Sequence, residues 1–538
     1  MNIFGKVIDL HEKRIFDAEL KIADGKIVTI ERSLRKSQQY ILSGLIDSHV
    51  HVESSMMVPS NFAHAAVQHG TVAAVADPHE IANVLGIEGV DFMISDAEKV
   101  PMKFYFGAPS CVPATNFETS GAVIGSNEIE GLLKRKDIWF LSEVMNFPGV
   151  INEERSVIKI IEAAHKSGKR IDGHAPGLTG KDLEKYCEKG ISTDHESVNI
   201  EEAREKIERG MKIMIREGSA ARNLEELHML FEEFPEKLML CCDDIHPEML
   251  QKGHIDKIVR DLLGRGYDLF DVLRAASVNT VEHYSLDVGT LRPDQPADFI
   301  VIDNPKDFNI LETWIDGKKI YDRGKVSFET GKPIPVNRFN SSMISPEELV
   351  VKNSGRAVRV IKANDGELVT YKEEVAWTNM PELTASVSRD ILKIVVKDRY
   401  NDGPPSVAFI SGFSLNHGAF ASSVAHDSHN IVAVGTNDED ISNAINIIVQ
   451  TRGGLSCCNK GEQLVVPLSI AGIMTDVPCG TIAAEYKKLS DKVRDMGSQL
   501  KAPFMTLSFM SLLVIPHLKL GDRGLFDVDC FEFVDLFV

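Results

Sequence analysis

His49-Val50-His51 closes an apolar run, GLIDSHVH at 44–51, that reads as a β-strand. Residues two apart in a strand face the same way, so both imidazoles can address one cation. Further ligand-type residues end other apolar runs: Glu143 in IWFLSEV, His174 in KRIDGH, His195 in ISTDH, and Asp243-Asp244 in LMLCCDD. Each alone has an ordinary explanation as a solvated carboxylate, a core histidine or a helix cap. Together, at the carboxyl ends of separate strands, they converge on one mouth and point to a metal centre. Imidazole and carboxylate without thiolate favour zinc, manganese or iron(II). Four histidines and two carboxylates exceed the needs of one tetrahedral zinc, which points to two metals bridged by Glu143. Such a centre makes hydroxide from water at neutral pH and polarises an electrophile. A carboxylate after the last strand can take the hydroxide's proton and return it to a leaving group.

The elements that must position these residues alternate in type. Eight strand candidates stand at 44–51, 71–78, 102–108, 138–144, 169–174, 191–195, 211–216 and 238–244, and most gaps hold one amphipathic segment, such as NEERSVIKIIEAAHKSG. That number and spacing predict a (β/α)8 barrel of the TIM type over 44–286, with a doubly wound open sheet as the alternative. The flanks, 1–43 and 287–340, are short alternating strands with Gly and Asp turns. Neither flank has enough apolar surface to fold alone, so the two are expected to join into one small β domain. Residues 341–538 open in a polar stretch and mix strands (AVRVIKA, LKIVVKD, NIVAVGT) with a helix, DEDISNAINIIVQT. They read as a carboxy-terminal α+β domain.

The stretches GLIDSHVHVESSMMVP, VADPHEIANVLG, SEVMNFPGV, DGHAPGLTG, STDHES, MIREGSAARN, CCDDIHPEML and VAHDSHNIVAVG resemble, in combination and over essentially the whole chain, the adenine deaminases of the amidohydrolase superfamily. Glu143 stands where relatives such as dihydroorotase carry a carboxylated lysine, as it does in adenine deaminases. The resemblance implies that His49 and His51 hold a first metal, that Glu143 bridges, and that His174 and His195 hold a second. It implies that Asp243 binds metal and shuttles the proton, while Asp244 is the lesser candidate for that role and otherwise hydrogen-bonds the substrate. The implied reaction is attack of hydroxide on C6 of adenine, with release of ammonia and hypoxanthine. Protonation of a ring nitrogen should accompany attack, because an amidine carbon is a poor electrophile. The cofactor implied is a divalent metal, two per barrel, with Mn2+ ahead of Fe2+ or Zn2+.

Other residues are less specific. Glu53 and His79-Glu80 fall in the matching motifs at the same mouth, where either carboxylate can protonate or orient the purine; the plain alternative is helix capping. Arg216, Glu217 and Ser219 follow the seventh strand and are read in the same way, with Arg216 and Ser219 as substrate contacts. His426-Asp427-Ser428-His429 is the only chemical-looking cluster of the last unit. It reads first as a hydrogen-bonded turn and second as an active-site contribution, across a subunit contact if the chain is a homo-oligomer, the dimeric or higher state expected. Met56-Met57 and the methionines near 505–510 read as core.

Composition limits the alternatives. Acidic residues outnumber basic ones, 79 to 59, for a net charge of −20, which repels phosphate backbones and anionic lipid. Neither nucleic acid nor a membrane is expected as a partner. Eight cysteines in 538 residues, with no CxxC, read as reduced thiols, and the amino terminus lacks a signal-peptide pattern, so a cytoplasmic protein is expected. Two rival functions stand beside adenine deamination: hydrolysis of another cyclic amidine or amide, and a non-catalytic barrel scaffold.

Overall fold

The computed structural model describes residues 1–355, 357–377 and 381–538. Five parallel strands, Leu45–Val50, Thr71–Ala76, Lys103–Ala108, Ile138–Val144 and Arg170–Gly173, hydrogen-bond in chain order. Three more, Thr193–Asp194, Lys212–Arg216 and Leu238–Cys241, form a second parallel set. A parallel bridge between Ile171 and Ile191 joins the sets, and one between Val50 and Asp243 closes the ring. This is the eight-stranded barrel expected from the apolar runs and not an open sheet. Its strands are buried almost throughout, as in a parallel sheet filled inside by side chains and covered outside by helices. The helix Arg155–Ser167 shows how the cover works. Ile161, Ala163 and Ala164 are its buried positions, and Gly168 ends it at φ 69°, a left-handed conformation open to a residue without Cβ.

The strands are shorter than the apolar runs. The fifth and sixth stop one residue before His174 and His195, and the eighth stops at Cys241. Asp243 therefore lies beyond its strand, at φ 56°, where the alternation of strand side chains no longer holds.

Strands from both ends of the chain share one eight-stranded sheet. Tyr40–Ser43 pairs with Asn2–Asp9 on one side and, antiparallel, with Phe299–Ile302 on the other. Leu20, Ile27, Ile41 and the stacked rings of Phe299 and Trp314 form its core. A third unit is built on a mixed sheet that includes Ala357–Lys362, Leu392–Lys397 and Ile431–Gly435. The helix Asp438–Thr451 packs on that sheet through Ile441, Ala444, Ile445 and Ile448, and the Asn437 side chain caps it. This unit grips the loop after the third barrel strand. Arg523 donates to the carbonyls of Asn116 and Glu118, at 3.0 and 3.2 Å, and Asn430 donates to that of Thr119 at 2.8 Å. Met56 and Met57 are buried, as expected of core residues. Among the described residues no helix is long and apolar enough to cross a membrane.

One buried carboxylate ties the first strand to the eighth. Asp47 Oδ1 accepts the backbone N–H of His49 at 3.3 Å and of Cys242 at 3.1 Å. Its Oδ2 lies 2.9 Å from His254 Nε2, and His254 Nδ1 in turn meets Thr71 Oγ1 at 2.7 Å. Asp47→Ala should therefore cost about 2–4 kcal/mol, the scale of stranding buried N–H groups and an imidazole. Asp47→Asn keeps an acceptor for both N–H groups and should cost clearly less. Denaturant unfolding of the two variants checks this ordering, and equal losses would contradict it.

Candidate metal centre

The barrel mouth gathers the strand-end residues into one buried cluster. His51 donates from Nδ1 to the Asp77 carbonyl at 3.1 Å, which turns its Nε2 inward, as an orienting partner does for a metal-ligating imidazole. Asp243 Oδ1 lies 2.9 Å from His51 Nε2 and 3.3 Å from His49 Nε2. The two oxygens of Glu143 face different histidines. Oε1 is 3.3 Å from His51 Nε2 and 3.4 Å from His79 Nδ1, whereas Oε2 is 2.7 Å from His174 Nδ1 and 3.2 Å from His195 Nε2. His49 also stacks on His195, with ring centroids 4.1 Å apart. Donor atoms bound to one ion at about 2.0–2.2 Å stand roughly 3–3.5 Å apart, so these separations suit shared cations.

Backbone ties hold the ends in place. Tyr186 donates to the Val144 carbonyl at 2.8 Å and accepts the His174 N–H at 3.0 Å, linking the fourth and fifth strands. Asn223 donates to the His195 carbonyl at 3.0 Å and accepts the Arg216 N–H at 2.8 Å, linking the sixth and seventh.

The polar accounting tests whether cations fit. Both ring nitrogens of His49, Asp243 Oδ1 and His79 Nδ1 are buried without a hydrogen-bond partner, a costly state that ligation would relieve. Burial opposes charge on His51 and His79, yet the carboxylates around them win and raise both well above the ordinary imidazole range. Burial likewise lowers His174, but Glu196 and Glu143 bring it up to about 9. Glu143 is held well below the carboxylate range, its burial outweighed by His174, His195 and His51. The cluster thus draws in positive charge, and without cations that charge comes as protons.

The structure sorts the remaining candidates. Glu80 and Asp244 line a small cavity beside the cluster, of about 30 Å³, room for roughly one water. Asp244 accepts from Ser54 Oγ at 2.5 Å, and burial, then Asp243, raises its pKa. His79, expected to touch substrate, has Nδ1 3.2 Å from Asp77 Oδ2 and belongs, with His51, Asp77 and Glu143, to a group that could hold a metal ion. Arg216, also expected to touch substrate, lines the cavity but spends its guanidinium on Glu196 and Asp243 Oδ2. Glu53 is buried and pushed up to about 7 by burial; it accepts the Ile81 N–H at 3.2 Å and does not line that cavity. Ser219 is likewise absent from the lining; its hydroxyl accepts the His246 N–H at 2.8 Å and its own N–H donates to the Asp244 carbonyl at 2.7 Å. Both side chains make hydrogen bonds that shape the loops around the mouth.

Some residues were not anticipated. Glu196 lines the cavity and follows His195 directly in STDHES, a signal that was available. Asp77 stands two residues before His79 in VADPHE. The turn 426–429 contributes more than a turn: His426 and Asp427 line the cavity, together with Leu368, Phe509, Leu512 and Ile515. They do so within one chain, not across a subunit contact. A larger cleft of about 640 Å³ adjoins it, sharing Met145, His195, Glu196, Arg216, Leu368 and Ile515.

Residues 40–320 match the model of the amidohydrolase family, and residues 367–532 match that of the adenine deaminase C-terminal domain. An adenine deaminase of Salinibacter ruber is 52% identical over 540 residues, covering 100% of this chain and 99% of its own. One of Methanosarcina mazei is 51% identical over 547 residues, covering 99% of each. Among solved structures, a β-aspartyl dipeptidase of Fervidobacterium islandicum aligns with 61% of this chain and 99% of its own, at 16% identity and TM-score 0.48.

If Glu143 bridges two cations, Glu143→Gln, which keeps its shape but removes its charge, should lower bound metal from about two ions per chain to one or fewer. Turnover should fall with it. Metal uptake by the unsubstituted protein should release protons, because cations displace those drawn onto His51, His79 and His174, and affinity should rise with pH. Elemental analysis and an indicator-dye titration check both; full metal content in Glu143→Gln would contradict the bridge.

Proposed function

The chain belongs to the adenine deaminases of the amidohydrolase family, enzymes that hydrolyse adenine to hypoxanthine and ammonia, and we propose that it does so with two divalent cations, Mn2+ foremost, at the barrel mouth. The observation that carries this reading is the division of Glu143, one oxygen toward His51 and His79 and the other toward His174 and His195. His49, His51 and Asp243 would complete one side. Cations held there would acidify a water molecule and stabilise the negative charge of the hydroxide so formed.

The chain's own groups supply the rest. Asp243 has Oδ2 engaged by Arg216 and Oδ1 against the first-strand histidines. It is therefore oriented to take the proton of the attacking water and return it to the departing amine. The adjoining cleft of about 640 Å³ receives the body of the purine, and its reacting edge reaches the small cavity, where Asp244 holds it and Glu80 protonates or orients a ring nitrogen. Leu368, Phe509, Leu512 and Ile515 offer the planar base an apolar cover and keep bulk water from the reacting carbon. Free thiols at all eight cysteines suit a reducing compartment, and we read the cytoplasm as its setting.

A turnover assay with adenine, in added manganese and against a chelated control, tests the reading. Activity lost on chelation and regained with manganese is the expected outcome, and a purine panel would expose a different preferred base. Asp243→Asn should lower kcat by roughly a hundredfold or more, the loss typical of a general acid–base group. At least one cation should stay bound. Asp244→Asn should raise KM more than it lowers kcat. Steady-state kinetics with metal analysis checks the pair, and the reverse pattern would exchange the two roles.

A further inference from the structure

Glu80 is the second residue of the helix His79–Leu85 in the barrel, and two side chains of the carboxy-terminal unit close on it. His426 Nδ1 meets Glu80 Oε1 and His429 Nε2 meets Glu80 Oε2, with all three residues buried. We infer that His426 and His429 are positioning residues that hold the Glu80 carboxylate in one orientation toward the purine, so that the carboxy-terminal unit acts in the reaction through Glu80. The inference rests on the reading that Glu80 touches the substrate.

The turn is built to aim both rings. His429 adopts φ 53°, a left-handed conformation uncommon for a side chain with Cβ. Its Nδ1 accepts the Ala425 N–H at 3.2 Å. In a neutral imidazole that assignment leaves the proton on Nε2, the nitrogen at Glu80. Burial is the main influence that lowers the His429 pKa, which keeps the ring in that neutral form. His426 stacks face to face on Phe509, with centroids 4.5 Å apart and planes 14° apart. Burial opposes its charge, but Glu80 and Asp244 bring its pKa up to about 9. The Phe509 carbonyl accepts from buried Lys519 at 3.0 Å, and Lys519 also donates to the Leu368 carbonyl at 2.8 Å. Tyr400 donates to the Ser428 carbonyl at 2.7 Å. Each oxygen of Glu80 thus faces a nitrogen whose ring is fixed from behind, an arrangement that a spacer between domains does not need.

The test uses the full chain loaded with manganese and measures kcat, KM for adenine and bound manganese. Asparagine carries a donor close to where histidine has Nδ1, and glutamine close to Nε2. His426→Ala and His429→Ala should each lower kcat by roughly a hundredfold, with KM changed far less and manganese retained. His426→Asn and His429→Gln should recover most of that loss. The double variant Glu80→Gln with His426→Ala should be no slower than Glu80→Gln alone, because the histidine acts through the carboxylate. If the alanine variants fail to fold, the asparagine and glutamine variants decide: active ones support the clamp and folded, inactive ones overturn it. Normal turnover in both alanine variants beside an impaired Glu80→Gln overturns the clamp alone. Normal turnover in Glu80→Gln overturns the role of Glu80, and the clamp with it. A double variant much slower than Glu80→Gln would show that His426 acts on its own.

Discussion

Two main-chain hydrogen bonds close the barrel, from the His51 N–H to the Asp243 carbonyl at 3.1 Å and from the Asp243 N–H to the His49 carbonyl at 2.9 Å. The same residues carry side chains into the mouth, so ring closure and assembly of the site are one event. A parallel barrel needs its first and last strands to meet, and here they meet at His49, His51 and Asp243. Asp47 reinforces the junction from inside the first strand by accepting the N–H groups of both His49 and Cys242. Any slip in this register would move His49, His51 and Asp243 together.

A cluster this buried carries an electrostatic cost that backbone geometry cannot remove. Glu143, Asp243, Asp77 and Glu80 are almost wholly buried beside His49, His51, His79 and His195. Carboxylates in such surroundings must be neutralised by protonation, by an ion pair or by a cation. Arg216 answers for Glu196 and part of Asp243, and His426 answers for Glu80. Glu143 is left with imidazoles alone, and these can neutralise it only by holding protons. Cations displace those protons and free the histidine lone pairs, which is why the mouth suits divalent metal better than a purely structural ion-pair network.

Much of this was legible in the sequence, and the limits have physical reasons. The pair His49 and His51 was readable because a strand has a period of two, and the strand-end residues because apolar runs mark where barrel strands stop. Strand alternation cannot separate Asp243 from Asp244, because the eighth strand ends at Cys241. Asp243 lies beyond the strand in a left-handed conformation, and it is Arg216 and the closing hydrogen bonds that aim its side chain. Glu53 and Ser219 were singled out by motif and by position after a strand, and neither signal says that Glu53 accepts the Ile81 N–H or that Ser219 accepts the His246 N–H. His426 could not be foreseen by spacing, since it meets Glu80 across 346 residues. A turn rich in His, Asp and Ser has the same composition whether it faces solvent or a barrel mouth.

That long-range contact also explains why the barrel by itself leaves the site open. Barrel strands end in a ring, and their loops can flank a substrate more readily than they can cover it. Apolar lining is supplied here by Leu368, Phe509, Leu512 and Ile515, with Lys519 tying two of those segments together. An apolar cover lowers the local dielectric, which strengthens each charge interaction beneath it and penalises any carboxylate left unpaired. The unit that covers the mouth must therefore also manage Glu80, the carboxylate it would otherwise strand. Roof and clamp arise from the same domain because closing the site creates the need for both.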